Sequence, residues 1–357
     1  ARAGVSVILI ERFGCFGGNI TSVGVEGFAW YRHEKTIEAG GLAFEYEQRA
    51  IESNAAVPES QSKSYELDSE GFKVVADNLV LKAGVRPMLH RAFCAPILDG
   101  DEIKGVITES KAGREAIIGK IIIDATGDAD VARRSGVKVF KNKKEDMISA
   151  SVMFHMSGVN KEEFMNEIER DPQKYSDWSD KNWQVQTSGK EDDMFSPFLR
   201  KPFEKAKDSG LIDSDLQTIS GTWGAIHDTG ELTYLNLVHL NGIDGTDPES
   251  LTKGEIEGRK AALEAIAALK EYMPGCSAGK LRNFGMTIGI RDTYKIDSVY
   301  NLSDEDVKNE CRFEDSVGIY PEFIDGFGVL VLPTTGRYMH IPCLLYTSDA
   351  ADEKRWV

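Results

Sequence analysis

The sequence predicts an α/β fold built in two parts, and three observations carry that expectation. Val5–Ile10, VSVILI, is a short apolar run rich in β-branched side chains, of the kind that makes a buried strand. Segments 38–56, 71–84 and 251–275 show helical spacing of apolar residues. Apolar residues make up 41 % of the 357-residue chain and 34 glycines punctuate them, which suits a globular α/β protein of about two domains.

In order along the chain, Gly4 reads as the cap that ends a helix, and Glu11 closes the strand that follows. A glycine-rich loop leads to a further apolar segment before residue 30. GFKVVADNLVLKAG, residues 71–84, is an amphipathic helix stopped by Gly84, and VRPMLHRAF is a strand. Residues 95–128 read as a small antiparallel unit, with DGD and KAGR as its turns. Its last strand, Ile121–Ile123, is wholly apolar and is expected to be buried on both faces. From about residue 141 the chain changes character, alternating charges with Trp178, Trp183 and Trp223. ELTYLNLVHLNG is the clearest strand there, and the best helix follows it at 251–275. Thr252 and Glu255 suggest a capping box, Ile256, Leu263, Ile266 and Met273 a buried stripe, and Pro274-Gly275 a stop. FGMTIGIRDTYKI returns to strand-like material.

Charge and cysteine use exclude several classes. The formal charge is 42 − 58 = −16, which repels nucleic acid and anionic membrane surfaces. No apolar run reaches the ~18–20 residues of a membrane span. The five cysteines, Cys15, Cys94, Cys276, Cys311 and Cys343, are far apart and form neither a disulfide framework nor a metal or iron–sulfur ligand set. A reduced, cytoplasmic setting is expected. Cys15 reads as a small core residue, His90 as structural, His227 as part of a polar turn, and His239 as a strand residue that can face either side.

A carboxylate at the tip of a buried strand suits a dinucleotide site. In a βαβ unit of that kind the second strand ends in an acid that accepts hydrogen bonds from ribose hydroxyls. ARAG fits the last turn of the preceding helix, VSVILI the second strand and Glu11 the acid, whereas no GxGxxG occurs in the sequence. The first strand and the glycine loop are therefore expected upstream of residue 1.

Three blocks, taken in order, then resemble FAD-dependent oxidoreductases of the glutathione-reductase-like superfamily. ERFGCFGGNITSVG resembles the segment whose GG(N/A)xT turn approaches the pyrophosphate and flavin. IIIDATGDADVARRSGV resembles the DATGD signature, and GIRDTYKIDSVYNLSDEDV resembles a G(I/V)RE(S/T)RRI block of one branch, with Tyr294 and Lys295 in place of two arginines. The resemblance implies a Rossmann-like FAD-binding domain over 1–140, incomplete, with a β-rich α+β substrate domain inserted at 141–290 and a return to the FAD domain at 291–342. Cofactor contacts are expected from Glu11, Arg12, Gly17, Gly18, Asn19, Ala125, Thr126, Gly127 and Asp128, beside Asp124. Arg291, Arg337, Tyr338 and His340 are candidates for the flavin or substrate side. RYMHIP resembles the family's approach to a second flavin motif, but Cys343–Val357 then reads as a tail foreign to the native chain, since CLLYTSDAADE matches a translated sequencing adapter. The implied activity is hydride or electron transfer between a small-molecule substrate and FAD. Relatives of this branch also suggest an electron-transfer partner, although the chain brings no iron–sulfur cysteines. An NAD(P)-dependent dehydrogenase shares Glu11, and a non-enzymatic ligand-binding module would suit the Trp-containing middle.

Overall fold

A computed structural model describes residues 1–27, 32–33, 36–37, 40–58, 65–174, 184–186, 195–320, 324–326, 329–331 and 339–343. The architecture is mixed α/β. Strand β1 (Ile8–Ile10) leads through a glycine loop into one helical turn, α1 (Asn19–Ser22), and then to helix α2 (Gly41–Glu52). A short hairpin, β2 (Ala56–Pro58) and β3 (Tyr65–Leu67), precedes α3 (Ser69–Lys82). The Asp68 side chain caps α3 by accepting from the Gly71 amide at 2.6 Å, and Gly84 ends it at φ +75°. The chain then re-enters the first sheet as β4 (Arg86–Met88), parallel to β1 with Ile8 opposite Arg86. This is a parallel pair closed by a helical crossover, the unit expected of a nucleotide fold. Phe16, Ala50, Leu67, Phe72, Val75 and Leu79 form its core.

The strand expected at VRPMLHRAF is broken. His90 takes φ +57°, and the chain restarts as β5 (Ala92–Asp99), which forms an antiparallel sheet with β6 (Glu102–Ser110) and β7 (Gly113–Ile118). The turns fall at Gly100 and Gly113, as DGD and KAGR predict. The burial expected for Ile121–Ile123 is not found. This segment forms no strand, and Ile121 and Ile123 are 82 % and 81 % exposed. An apolar run reads as a buried strand only if neighbouring strands pair with it, and none does so among the described residues. Helix α4 (Asp130–Arg134) follows.

The larger core lies further on. Strand β8 (Val139–Phe140) leads to β9 (Ala150–Ser151) and β10 (Phe154–Ser157), and then to helix α5 (Lys161–Arg170). After β11 (Phe198–Leu199) and α6 (Lys201–Asp208) come β12 (Ile219–Thr222) and β13 (Leu232–Leu240). Helix α7 (Pro248–Tyr272) and strand β14 (Lys280–Phe284) complete a six-stranded sheet in the order β11-β12-β13-β10-β14, with β9 also paired to β13. Phe154, Phe164, Phe203 and Trp223 fill its interior, with Phe164 edge-on to Trp223 at 5.1 Å. Beyond it, β15 (Lys295–Ile296) pairs with β8, α8 (Asp304–Lys308) has a Ser303–Asp306 capping box, and β16 (Ser316–Tyr320) pairs with β17 (Met339–Pro342).

Two readings of α7 need correction. It begins at Pro248, capped by Asp247, so Thr252 and Glu255 lie inside it rather than at its cap. Its buried face is not the Ile256–Leu263 stripe: those residues are 61 % and 54 % exposed. Gly254, Gly258, Ala261, Ala262, Ala265 and Leu269 face the sheet instead. A Cβ on Gly258 would stand 2.2 Å from Val152 Cγ2, so the helix sits too close to the sheet for larger side chains there. Ile266 and Met273 are buried as expected.

Candidate functional site

Three segments form the candidate site. The first leaves β1 at Glu11. Glu11 Oε1 accepts from the Phe13 amide at 2.8 Å, which folds the carboxylate over its own turn. The Arg12 guanidinium lies over the Phe13 ring at 4.7 Å. Gly17 and Gly18 both take positive φ, +115° and +54°, so the turn is one that L side chains resist. A Cβ on Gly17 would strike Thr21 at 2.5 Å, whereas one on Gly18 would project into open space. Thr21 Oγ1 and Ser22 Oγ donate to the carbonyls of Phe16 and Gly18 at 2.7 and 2.6 Å, so α1 is held by its own hydroxyls. Cys15 is buried, with Sγ 3.7 Å from Thr21 Oγ1, as a small core residue should be.

The second segment is DATGD. Asp124 Oδ1 accepts from the amide and hydroxyl of Thr126, at 3.1 and 2.7 Å, and its Oδ2 accepts from the Ala132 amide at 2.9 Å. Thr126 Oγ1 in turn accepts from the Asp130 amide at 3.1 Å. The carboxylate and hydroxyl thus tie the loop to the start of α4. Gly127 stands at φ +84° with open space where a Cβ would be. Burial, then the nearby carboxylates of Asp128 and Asp124, push the Asp130 carboxyl above its ordinary value.

The third segment, 285–295, joins the other two. The Thr287 amide donates to Ser22 O at 3.2 Å, and Gly285 and Gly289 leave room for Val23, which would meet their Cβ atoms at 2.1 and 2.7 Å. Gly289 exchanges backbone hydrogen bonds with Ser151 of β9 at 2.8 and 2.9 Å. Thr293 Oγ1 then donates to Asp128 Oδ1 at 2.7 Å. Arg133 and Lys141 flank the Tyr294 ring at 4.6 and 5.3 Å, so Tyr294 works here as a seat for cations. Arg291 is exposed and lies between the contact to Val23 and the contact to Asp128. Asp292 is buried, accepts from Asn142 at 2.7 Å and pairs with Lys295.

No direct hydrogen bond joins the first two segments among the described residues; the third one brackets them. Arg337 and Tyr338 lie outside the described residues, as do 344–357 of the tail. His340 sits on β17 and meets the 311–313 turn, with Nδ1 3.2 Å from the Phe313 amide. A pair that sequence reasoning passed over is Glu26–His155. Their carboxylate and imidazole lie 3.0 Å apart with side chains 2 % and 7 % exposed. The signal was faint: Glu26 stands in an otherwise small and apolar stretch, SVGVEG.

A family model described as FAD dependent oxidoreductase matches residues 1–326. The chain belongs to that family, and FAD is the cofactor the family uses. No match is found among curated proteins. Among solved structures, the chain is similar to a geranylgeranyl bacteriochlorophyll reductase-like protein from Thermoplasma acidophilum, at 14 % identity and a TM-score of 0.45, over 83 % of this chain and 61 % of that one. It is similar to the flavin-dependent brominase Bmp2 at 13 % identity and a TM-score of 0.43, over 84 % and 65 % of the two chains. It is also similar to the myxobacterial chondrochloren halogenase CndH at 12 % identity and a TM-score of 0.44, over 84 % and 61 %. The chain thus spans less than two thirds of the length of each of these structures. Among the described residues no helix is long and apolar enough to cross a membrane, and no group of three or more His, Cys, Asp or Glu could hold a metal ion.

The residues present are compatible with FAD at two places: among the described residues no atom stands within 4 Å of where a Cβ on Gly18 or Gly127 would lie, so backbone can approach a ligand there.

Proposed function

We propose that this chain carries the ribose-, pyrophosphate- and substrate-facing parts of an FAD-dependent oxidoreductase acting on a small molecule. Glu11 would accept from the ribose hydroxyls, with Arg12 beside it. Gly17, Gly18 and Asn19 would approach the pyrophosphate or flavin, and Ala125, Thr126, Gly127 and Asp128 would line the dinucleotide. FAD supplies the hydride chemistry when bound. The protein's own part is to hold the substrate against the cofactor and to exclude water. Arg291 stands where a substrate carboxylate could be clamped, and Arg337, Tyr338 and His340 stay as further candidates. We place the substrate at the seam between the nucleotide segments and the six-stranded sheet, with 1–140, 141–290 and 291–342 as the working units. An electron-transfer partner belongs to the same proposal.

One observation carries this reading. A single returning segment touches both nucleotide loops, through Thr287 to Ser22 and through Thr293 to Asp128, and in between it borders the sheet at Ser151. That gathers into one neighbourhood the blocks that lie far apart in sequence. The NAD(P)-only and non-enzymatic readings leave the family match without an explanation.

The test is equilibrium binding of FAD, followed by the shift of its absorbance and the quenching of its fluorescence. Glu11→Gln and Gly127→Val should each weaken binding about tenfold, since each removes about 1.4 kcal/mol or more of cofactor contact. Unchanged affinity in both variants would reject the assignment of these residues.

A further inference from the structure

Ala129 is held in a strained conformation. It is not a glycine, yet it takes φ +54°, directly before α4 and two residues after Gly127 at φ +84°. A backbone in that state persists only where its surroundings hold it. On the α4 side the hold is internal to the loop: the Asp130 and Ala132 amides donate to Thr126 Oγ1 and Asp124 Oδ2, at 3.1 and 2.9 Å. On the other side stands Asp128, and its tie comes from far along the chain. Asp128 Oδ1 accepts from Thr293 Oγ1 at 2.7 Å, across 165 positions.

Thr293 is a fixed donor. Its side chain is buried, and a Cβ on Gly245 would stand 2.8 Å from its methyl carbon. The methyl is thus pressed on the Gly245 backbone while the hydroxyl meets Asp128. The neighbours of Thr293 are anchored as well. Asp292 is buried and held by Asn142 and Lys295, and the Tyr294 ring seats Arg133 of α4 at 4.6 Å. Lys295 begins β15, which pairs with β8. Asp128, by contrast, is half-buried, so water can serve its charge without the hydroxyl. The contact therefore acts on where the loop stands more than on satisfying a carboxylate.

We infer that Thr293 is a positioning residue for the cofactor: its hydroxyl holds Asp128, and with it the strained 127–129 turn, so that the open side of Gly127 stays turned to the dinucleotide. This rests on 124–128 being a dinucleotide loop, as proposed above, and it adds the device that sets the loop's shape. Thr293 touches Asp128 and acts through it.

Two measurements on the full chain test this. The first needs no FAD and follows hydrogen exchange of single amides by NMR. Thr293→Val puts a methyl in place of the hydroxyl. It should speed exchange of the Asp130 and Ala132 amides about tenfold, the order expected when a hydrogen bond to a charged group is lost. Thr293→Ser keeps the hydroxyl and should keep the parental rates. The amides of β13 are the internal control and should exchange as in the parent in both variants. The second measurement is equilibrium FAD binding. Thr293→Val should weaken it about tenfold, and Thr293→Ser should not. Adding Ala129→Gly to Thr293→Val should recover most of the loss, since glycine takes positive φ without resistance. General destabilisation would instead move the β13 amides together with the loop and gain nothing from Ala129→Gly. Parental exchange or parental FAD affinity in Thr293→Val overturns the inference. So does an equal loss in Thr293→Ser, or no recovery with Ala129→Gly. The FAD affinity of the parent beside Glu11→Gln and Gly127→Val reports on the flavoenzyme site separately. If that reading fails, the exchange rates still decide whether Thr293 holds the loop.

Discussion

His239 shows how far a single residue's role depends on what surrounds it. Alternation along β13 left its direction open. In the fold its Nδ1 lies 3.5 Å from Ser151 Oγ, and its ring is so close to β12 that a Cβ on Gly221 would stand 2.9 Å from Nε2. Burial, and secondly the Arg291 charge, push its pKa down to about 4. An unfolded histidine binds its proton near pH 6.5, so between there and about 4 the unfolded state holds more protons than the native one. Stability is then complete above that window and falls as pH drops through it, by up to about 3 kcal/mol at its lower end. Chemical unfolding at pH 7 and pH 4.5 should show this loss, and His239→Gln should remove most of it. An equal acid loss in the variant would place the sensitivity elsewhere. Glu11 is the opposite case. Its place at a strand tip was legible from sequence, because it depends only on where an apolar run ends.

Elements were legible where their signals are local. The α3 helix, its Gly84 stop, the turns at Gly100 and Gly113, and β13 follow from periodicity and turn chemistry, which act over a few residues. Helix α7 was found, but its buried face was not. Apolar periodicity assumes that large side chains mark the core, and here the sheet comes so near that only Gly and Ala fit. Gly258→Val should therefore cost about 2–3 kcal/mol by overpacking against Val152, measured by denaturant unfolding. Leu263→Lys, on the exposed side, should stay within about 0.5 kcal/mol of the parent. The reverse order of effects would restore the apolar stripe as the packed face. Ile121–Ile123 failed for a related reason, since burial of a strand belongs to its neighbours and not to its own residues.

At the scale of the molecule, the two buried cores meet across a polar contact. Glu26 reaches His155 of the sheet, and the Glu66 carboxylate lies against Gly224, where a Cβ would be 1.7 Å from Oε1. A buried carboxylate pressed on backbone has little room to yield, so Gly224→Ala should destabilise by at least about 2 kcal/mol. If the contact couples the cores, thermal unfolding of that variant should also broaden or split. A single sharp transition at the parent temperature would show that the seam contributes little. The sequence by itself determined the family, because glycine turns, a strand-tip acid and the DATGD string are short patterns whose backbone demands are local. It determined the charge and most element positions for the same reason. Tertiary structure alone decided that Thr293 meets Asp128, that Arg291 lies between the contacts to the 17–23 turn and to the 124–128 loop, and that Glu26 and His155 form a buried pair. Those residues are joined by packing across more than a hundred positions of chain, and no spacing rule reaches that far.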